Sequence, residues 1–300
     1  MNTYGWIIYN GNLPGEKFLD FAEMLQDSAS KHHSKTSIIK NNELLASLSS
    51  KDAALLSVYE LPDYVVFTDK DIYLAKQLEL LGIPVFNSSR VIEISDDKIA
   101  TYQLLAMASL PIPQTIVAPK VFYHRSEKQL PNLDAIVHQL GLPMIVKESF
   151  GSFGEQVYLV HSIEELEQKV MELYGRPFMF QEFISSSEGK DLRLQVVGEK
   201  VVAAMKRTAS NDFRANVTAG GKMEAYVPDA KAEQVAIAAA KAIGADFCGV
   251  DLLFGSNGSY IVCEINSNAH IRNLLDCTGV NAADAIMEYI ISKVNNEGTR

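Results

Sequence analysis

The feature that most constrains the fold is the pair Asn257-Gly258, which separates two apolar runs within residues 246–270. Asparagine followed by glycine is typical of a two-residue type I′ hairpin turn, because both central positions of that turn need positive φ. A hairpin centred there places Ser256 opposite Ser259 and thereby predicts the register of both strands. Since side chains alternate between the two faces of a strand, the turn also predicts which residues share a face.

One face of this hairpin is apolar beyond the turn and is expected to face the core. Its cross-strand pairs are Phe254 with Ile261, Leu252 with Cys263, and Val250 with Ile265. On the opposite face Asp251 lies directly opposite Glu264, and Asn266 lies two residues further along. Leu253 and Val262 share that second face, so it is not a simple solvated surface.

Two facing carboxylates need a compensating charge, because like charges opposite each other destabilise a sheet. Mg²⁺ supplies such a charge, since it binds carboxylate oxygens together with substrate phosphates. The hairpin therefore predicts a metal site at Asp251, Glu264 and Asn266. A hairpin whose polar face meets water remains the alternative.

The composition limits the classes of partner. Three hundred residues predict two or three domains with an ample core. A net charge of −10 argues against broad binding to nucleic acid or acidic membranes, but allows a local basic pocket for a nucleotide. Cys248, Cys263 and Cys277 form no C-x-x-C pair, which is typical of reduced cytoplasmic thiols. No apolar run reaches membrane-spanning length, and no signal segment opens the chain.

The first 95 residues predict a small parallel α/β domain, because strand-like runs alternate with helical patterns. The predicted strands are Tyr4–Tyr9, Thr36–Lys40, Tyr64–Thr68 and Val85–Phe86, and the predicted helices are Glu16–Ser28, Glu43–Leu48 and Asp71–Leu81. The loop from Gly11 to Gly15 lacks the G-x-G-x-x-G spacing of a dinucleotide site. A dinucleotide-dependent oxidoreductase is therefore disfavoured.

A second predicted hairpin has a glycine-rich tip. Its strands are Met144–Lys147 and Val157–Val160, and the tip reads Ser149-Phe-Gly-Ser-Phe-Gly154. Glycine lets backbone N–H groups approach phosphate oxygens closely, and Lys147 adds a positive charge at the strand end. The spacing is neither that of a Walker loop nor that of a protein kinase, and a plain flexible turn remains the alternative.

Other segments add helix, strand and anion signals. Ser95-Asp-Asp-Lys98 predicts a helix start with Ser95 as its N-cap. Phe178–Ile184 predicts a strand whose edge backbone groups can hydrogen-bond an adenine ring, although such strands are usually core. Arg207 and Arg214 either bind an anion or pair with surface carboxylates.

Taken together, these segments resemble the ATP-grasp superfamily and, within it, the RimK-like amino-acid (glutamate) ligases. The matching motifs are, in order, SDDK, PIPQT, MIVKESFGSFG, FMFQEFI, KDLRLQVVGEKVVAAMKR, DFRAN, GVDLLF and VCEINSN. The resemblance implies an α/β fold that is α+β in the grasp part. Residues 1–95 would form the domain before the grasp fold, 96–185 the central lobe with the glycine-rich lid, and 186–300 the carboxy-terminal lobe with the metal site.

The resemblance also implies roles for the residues that bind nucleotide. Lys98 and Lys147 match the lysines that hold ATP phosphates, Glu182 and Phe183 match the segment that meets adenine, and Asp191 matches the acidic group near the nucleoside. The lid residues expected over the phosphates are Ser149, Gly151, Ser152 and Gly154.

Further implied roles concern catalysis and metal. Arg214 and Asn216 match an R-x-N element at the triphosphate, and Arg207 is a candidate for steadying the transferred phosphate, so both arginines are expected to be catalytic. Asp251, Glu264 and Asn266 match the ligands of Mg²⁺ or Mn²⁺, with two ions expected.

The implied reaction is ATP-dependent joining of a carboxylate to an amine through an acyl phosphate. The amine would be an amino acid and the acceptor a peptide, a protein or a small carboxylate, with no nucleic acid or membrane partner. Cations stabilise the charge that builds on the phosphoryl oxygens, and a lid keeps water from the intermediate. A cytoplasmic homodimer or tetramer is expected. A non-catalytic or regulatory nucleotide-binding protein on the same scaffold is the alternative.

One segment departs from the resemblance. Many RimK-like ligases follow the metal-binding Asn with a small residue and then Ser-Pro-Gly, whereas here Asn266 is followed by Ser-Asn-Ala-His270-Ile-Arg272. That segment lies beside the acceptor site in the family, so the substrates stay open, including glutamate as the amine. His270 and Arg272 are candidates for binding a substrate carboxylate.

Overall fold

The protein is described from a computed structural model, which covers residues 3–50, 53–121, 129–152, 154–215 and 221–297. The strands are β1 Tyr4–Tyr9, β2 Lys35–Lys40, β3 Leu45–Leu48, β4 Ala53–Leu56, β5 Tyr64–Phe67, β6 Val85–Phe86, β7 Thr115–Val117, β8 Met144–Glu148, β9 Val157–Val160, β10 Phe178–Glu182, β11 Lys190–Val197, β12 Lys200–Thr208, β13 Lys222–Ala225, β14 Phe247–Phe254 and β15 Tyr260–Asn266. The helices are α1 Lys17–Lys31, α2 Ile72–Leu80, α3 Ser89–Asp96, α4 Lys98–Met107, α5 Leu133–Leu140, α6 Ile163–Glu172, α7 Ala230–Ile243, α8 Arg272–Thr278 and α9 Ala282–Glu297. No helix of the described ranges is long and apolar enough to span a membrane.

The amino-terminal sheet has the order β2-β1-β5-β6 with parallel pairing throughout, as the sequence predicted. Strand β1 pairs with β2 on one side and with β5 on the other, so the strand order reverses at β1. Ligands of open α/β sheets bind beyond the carboxyl ends of the strands at such a reversal. The loop after β5 meets the segment after β15 there, because Asn268 Nδ2 donates to Asp69 O at 2.7 Å.

The helix predicted over Glu43–Leu48 is wrong, because Leu45–Leu48 forms β3, which pairs antiparallel with β4. Gln77 on α2 stabilises the hairpin by donating from Nε2 to Ser47 O at 3.3 Å and to Ala54 O at 3.0 Å. The tertiary contact therefore overrides the helix propensity of the local sequence.

The predicted N-cap at Ser95 is also wrong. Asp97 caps α4 by accepting from the N–H groups of Ile99 at 3.0 Å and Ala100 at 3.2 Å. Ser95 instead lies inside α3, where its hydroxyl donates to Ile92 O at 3.2 Å. Lys98 thereby becomes the first residue of α4.

Two antiparallel sheets form the rest of the fold. The central lobe has the order β7-β10-β8-β9 and packs against α5 and α6 through residues such as Ile136 and Leu166. The carboxy-terminal lobe has the order β13-β12-β11-β14-β15 and packs against the alanine face of α7. The domain limits at residues 95 and 185 stay predictions.

The hairpin of β14 and β15 confirms part of the predicted register. Asn257 and Gly258 have φ of 57° and 70°, as the turn requires. Asp251 pairs with Glu264, and Val250 pairs with Ile265, as predicted. The turn and the polar pair are therefore where the sequence placed them.

Between the turn and the pair of Asp251 with Glu264, the predicted cross-strand pairing is wrong by one residue. Leu252 pairs with Val262, and Phe254 pairs with Tyr260, because the pairing slips beside the turn and a β-bulge at Cys263 restores it. Val262 is consequently a fully buried core residue, although it was predicted on the polar face. The predicted core pair of Cys263 with Leu252 does not form, because Cys263 is the bulged residue. Its Sγ lies 3.9 Å from Lys147 Nζ.

Candidate functional site

Predicted site residues from both grasp lobes converge on one space. Lys98 Nζ donates to Gly151 O at 2.9 Å and lies 3.7 Å from Glu264 Oε1. Lys147 on β8 reaches Cys263 on β15, next to Glu264. The structure thus brings together the two predicted phosphate lysines, the lid and one predicted metal ligand.

The electrostatics of this space favour an anion. Burial lowers the pKa of Lys98, and the neighbouring Lys70 and Lys147 lower it further, against the opposing effect of Glu264. A phosphate bound by Lys98 and Lys147 would relieve this repulsion. The site therefore has the charge expected of a phosphate-binding pocket.

The side chains that contact Lys147 directly carry no charge at pH 7. Its Nζ lies 5.8 Å from the centroid of the Tyr102 ring, and the Tyr102 hydroxyl donates to Cys263 O at 2.7 Å. Burial raises the pKa of Cys263 to about 11 and that of Tyr102 to about 12. Neither group neutralises the lysine, and Glu264 is the charged group that acts on it.

The glycine-rich lid lies over Lys98 and needs its glycines. Gly151 has φ of 140°, and a Cβ there would lie 2.3 Å from Gln156 Oε1. Ser152 N donates to that same oxygen at 3.2 Å, which fixes the turn of the lid. Gly154 has φ of 73° and accepts from Arg214 Nη1 at 2.5 Å.

The hydroxyl of Ser149 has a structural partner, because Ser149 Oγ donates to Asp97 Oδ1. Lys98 N also donates to Ser149 O at 2.9 Å. These two bonds join the base of the lid to the start of α4, where Lys98 lies. They place Ser149 at the base of the lid, beside Lys98, and not at its tip.

The carboxylate of Asp251 is compensated by two arginines. Arg193 donates from Nε at 2.7 Å and from Nη2 at 2.6 Å, and Arg207 Nη2 lies 2.9 Å from Asp251 Oδ2. Arg207 also donates to the Asp191 carboxylate, from Nε at 2.7 Å and from Nη2 at 2.6 Å. Burial alone would raise the pKa of Asp251, but the two guanidinium groups hold it below its usual range.

This network corrects the predicted source of compensation, which was a metal ion alone. Arg193 is the residue that sequence reasoning missed, because it lies opposite Asp251 on β11, outside the hairpin whose register was predicted. The sequence signal that could have found Arg193 is the alternation of side chains along β11, which places Arg193 on the same face as Asp191. Arg207 and Asp191 contact each other here, so both belong to the support of Asp251.

The remaining donors still fit a hard cation. A carboxylate has about four lone-pair sites, and three of those on Asp251 accept from arginine, which leaves one. The Glu264 side chain is 35% exposed, and Asn266 Nδ2 is buried without a hydrogen-bond partner. An unpaired buried N–H is unfavourable, and as a donor it would bind a phosphate oxygen, whereas a cation would bind Asn266 Oδ1. Since no three His, Cys, Asp or Glu side chains of the described ranges form a metal cluster, phosphate or water oxygens would complete the coordination.

The other predicted residues contact neighbouring segments. Glu182 Oε1 accepts from Gln114 N at 2.8 Å, and Phe183 directly follows β10. Arg214 pairs with Asp212 at 2.7 Å, and Asn216 lies outside the described residues. Arg214 thus contacts the lid through Gly154.

The segment after Asn266 packs against α1. Arg272 forms an ion pair with Asp20, with Nε at 3.0 Å and Nη2 at 2.5 Å. The His270 ring lies 5.0 Å from that of Phe18, and burial lowers the pKa of His270 to about 4. A neutral His270 and a paired Arg272 do not favour the predicted recognition of a substrate carboxylate.

Comparison with known proteins agrees with this geometry. Residues 95–290 match the family model of the RimK-like ATP-grasp domain. A probable alpha-L-glutamate ligase of Legionella pneumophila is 35% identical over 73% of this chain and 70% of its own length. An uncharacterized protein of Mycoplasma genitalium is 31% identical over 75% of this chain and 79% of its own length. The fold is also that of the ATP-grasp ligase PsnB, solved in complex with a phosphomimetic variant of its minimal precursor, Mg and ADP. The TM-score is 0.68 at 18% identity, and the match covers 97% of this chain and 98% of PsnB.

Proposed function

The chain belongs to the RimK-like ATP-grasp family of ATP-dependent ligases, and from this premise we propose that it joins a carboxylate to an amino acid through an acyl phosphate. The observation that carries the proposal is the convergence of Lys98, Lys147 and Glu264 beneath the glycine-rich lid. L-glutamate is the first amine to test, because the Legionella pneumophila relative is named for it. The products would be an amide, ADP and phosphate.

Each group of the site has a task in this reaction. Lys98 and Lys147 would bind the phosphates and stabilise the charge that builds on the transferred phosphoryl group. Glu264, Asn266 and the free lone pair of Asp251 would hold Mg²⁺ or Mn²⁺, which supplies a Lewis acid when bound. The expectation of two ions stays a prediction.

Arg207 has a different task from the one predicted. Its guanidinium binds Asp191 and Asp251 at once and is almost fully buried. We therefore propose that it orients Asp251 toward the metal and does not contact the transferred phosphate. Arg214 remains a candidate for phosphate contact, since its side chain lies against the lid.

The test of the reaction is a trapping experiment. A panel of carboxylates is incubated with the protein, ATP and Mg²⁺, with hydroxylamine in place of the amine. We expect ADP, phosphate and a hydroxamate that mass spectrometry identifies. AMP and pyrophosphate would contradict an acyl phosphate, and nucleotide binding without any carboxylate-dependent ADP would favour a regulatory protein on the same scaffold.

Two variants test the metal site in the same assay. Glu264→Gln keeps the shape of the side chain but removes its charge, so we expect activity to fall by about 100-fold or more. Glu188→Gln changes an exposed carboxylate of the same lobe and should stay within about twofold of wild type. Equal activity of the two variants would remove Glu264 from the site. The expected homodimer or tetramer would be tested by light scattering.

A further inference from the structure

A third lysine reaches the phosphate site from the amino-terminal domain. Lys70 lies in the loop between β5 and α2, and its Nζ lies 2.5 Å from Asp96 Oδ1 and 3.1 Å from Ser152 Oγ. Asp96 ends α3, next to Asp97 and Lys98. One ammonium group therefore bridges the start of the phosphate site and the tip of the lid.

The backbone of this loop is held in place. Asp69 O accepts from Asn268 Nδ2 at 2.7 Å, and the Asp69 carboxylate accepts from Asn10 Nδ2 at 3.0 and 3.2 Å. These bonds fix the residue before Lys70 between β1, β5 and the segment after β15. The side chain of Lys70 thus extends to the lid from an anchored position.

Lys98 and Lys70 bind two consecutive lid residues, but only Lys98 is a proposed phosphate ligand. Lys98 binds Gly151 O, and a bound nucleotide would compete for that ammonium group. Lys70 binds the side chain of Ser152, and Asp96 compensates its charge. The contact of Lys70 with the lid can therefore persist while Lys98 turns to phosphate.

We propose that Lys70 is a positioning residue that holds the glycine-rich lid closed through Ser152. The inference rests on the proposed function, because a closed lid has a task only if an acyl phosphate must be shielded from water. Lys70 acts through Ser152 and does not itself contact the phosphates. Loss of the contact should open the lid and let water hydrolyse the intermediate to the free carboxylate and phosphate.

The first test measures hydrogen exchange of amides 149–156 with Mg·ADP bound. We expect about tenfold faster exchange in Lys70→Ala and in Ser152→Ala, because each loses the same charge-assisted hydrogen bond. The double variant should exchange no faster than either single variant. Lys70→Arg should restore part of the protection.

Lys76→Ala is the matched control. Lys76 lies in the same domain, pairs with Glu93 at 2.7 Å and has a side chain 44% exposed, as has Lys70. Its variant should exchange like wild type. Unchanged lid exchange in Lys70→Ala would overturn the proposal, and so would additive effects in the double variant, since Lys70 would then act independently of Ser152.

The second test measures the amide formed per ADP released. Lys70→Ala should lower this ratio several-fold while KM for ATP stays within about threefold of wild type. An unchanged ratio with a large rise in KM would overturn the proposal in favour of direct phosphate binding. If wild type forms no amide, the proposed function fails, and the exchange experiment with Mg·ADP still decides the role of Lys70.

Discussion

At the scale of single residues, Asp251 shows what a local pattern can and cannot predict. The hairpin turn predicted that Asp251 faces Glu264, and the structure confirms this pair. The pattern could not predict the compensation, because Arg193 comes from a strand some sixty residues earlier in the chain. A buried carboxylate held by two guanidinium groups should be sensitive to the loss of either one.

We expect Arg193→Ala to lower the free energy of unfolding by up to about 3–5 kcal/mol, because it leaves the buried charge of Asp251 with one partner. Urea unfolding followed by circular dichroism measures this loss. Arg176→Ala is the matched control, since the Arg176 side chain in its pair with Glu148 is 60% exposed and its loss should cost about 0–1 kcal/mol. Adding Asp251→Asn to Arg193→Ala should recover part of the stability, because the unpaired charge is then removed. Equal losses of stability in Arg193→Ala and Arg176→Ala would contradict this expectation.

At the scale of elements, the sequence predicted most strands and helices because their apolar periodicity matches the burial that they have in the fold. It failed where a contact from elsewhere decides the conformation. The segment Glu43–Leu48 has residues typical of a helix, yet its residues 45–48 form a strand that Gln77 of α2 contacts at Ser47. A bulge such as that at Cys263 leaves no signal in an alternating pattern, so the polar pair of the hairpin was predictable while the pairs beside the turn were not.

The segment after β15 should make stability depend on pH through His270. Burial lowers its pKa to about 4 in the folded chain, whereas the usual value near 6.5 applies after unfolding. The unfolded state therefore binds a proton first as the pH falls, and stability is lost between pH 6.5 and 4 by up to about 1.4 kcal/mol per pH unit.

Urea unfolding at a series of pH values tests this dependence. Relative to His270→Leu, wild type should lose stability as the pH falls through that window, because only wild type carries the buried imidazole. His138→Leu, on the exposed side of α5, controls for the loss of a histidine as such. Parallel profiles of wild type and His270→Leu would show that His270 is not the source.

At the scale of the whole molecule, one apolar cluster joins the two ends of the described chain. Phe21 and Leu25 of α1 pack with Ile286 and Ile290 of α9, together with Phe247 from the carboxy-terminal sheet. The order of motifs predicted the ATP-grasp fold, but no motif indicated that the amino-terminal domain and the last lobe share a core. Such packing depends on two helices that are distant in sequence and individually ordinary.

A chain that begins at residue 96 should therefore not fold as an independent unit. It lacks α1 and leaves the apolar face of α9 exposed, which favours aggregation. We expect no cooperative thermal transition by circular dichroism, whereas a chain that begins at residue 3 should melt like the full sequence. A cooperative transition of the shorter chain near the wild-type temperature would show that the grasp lobes fold alone.

The packing of α1 on α9 can form only after the ribosome has synthesised both helices. Ser28 and Asp284 are hydrogen-bonded at 2.6 Å although 256 positions separate them. At about 5–20 residues per second, roughly 13–50 s pass between the synthesis of one and that of the other. During that interval the apolar face of α1 has no α9 to cover it. Until α9 has been synthesised, another part of the chain or another protein has to cover that face.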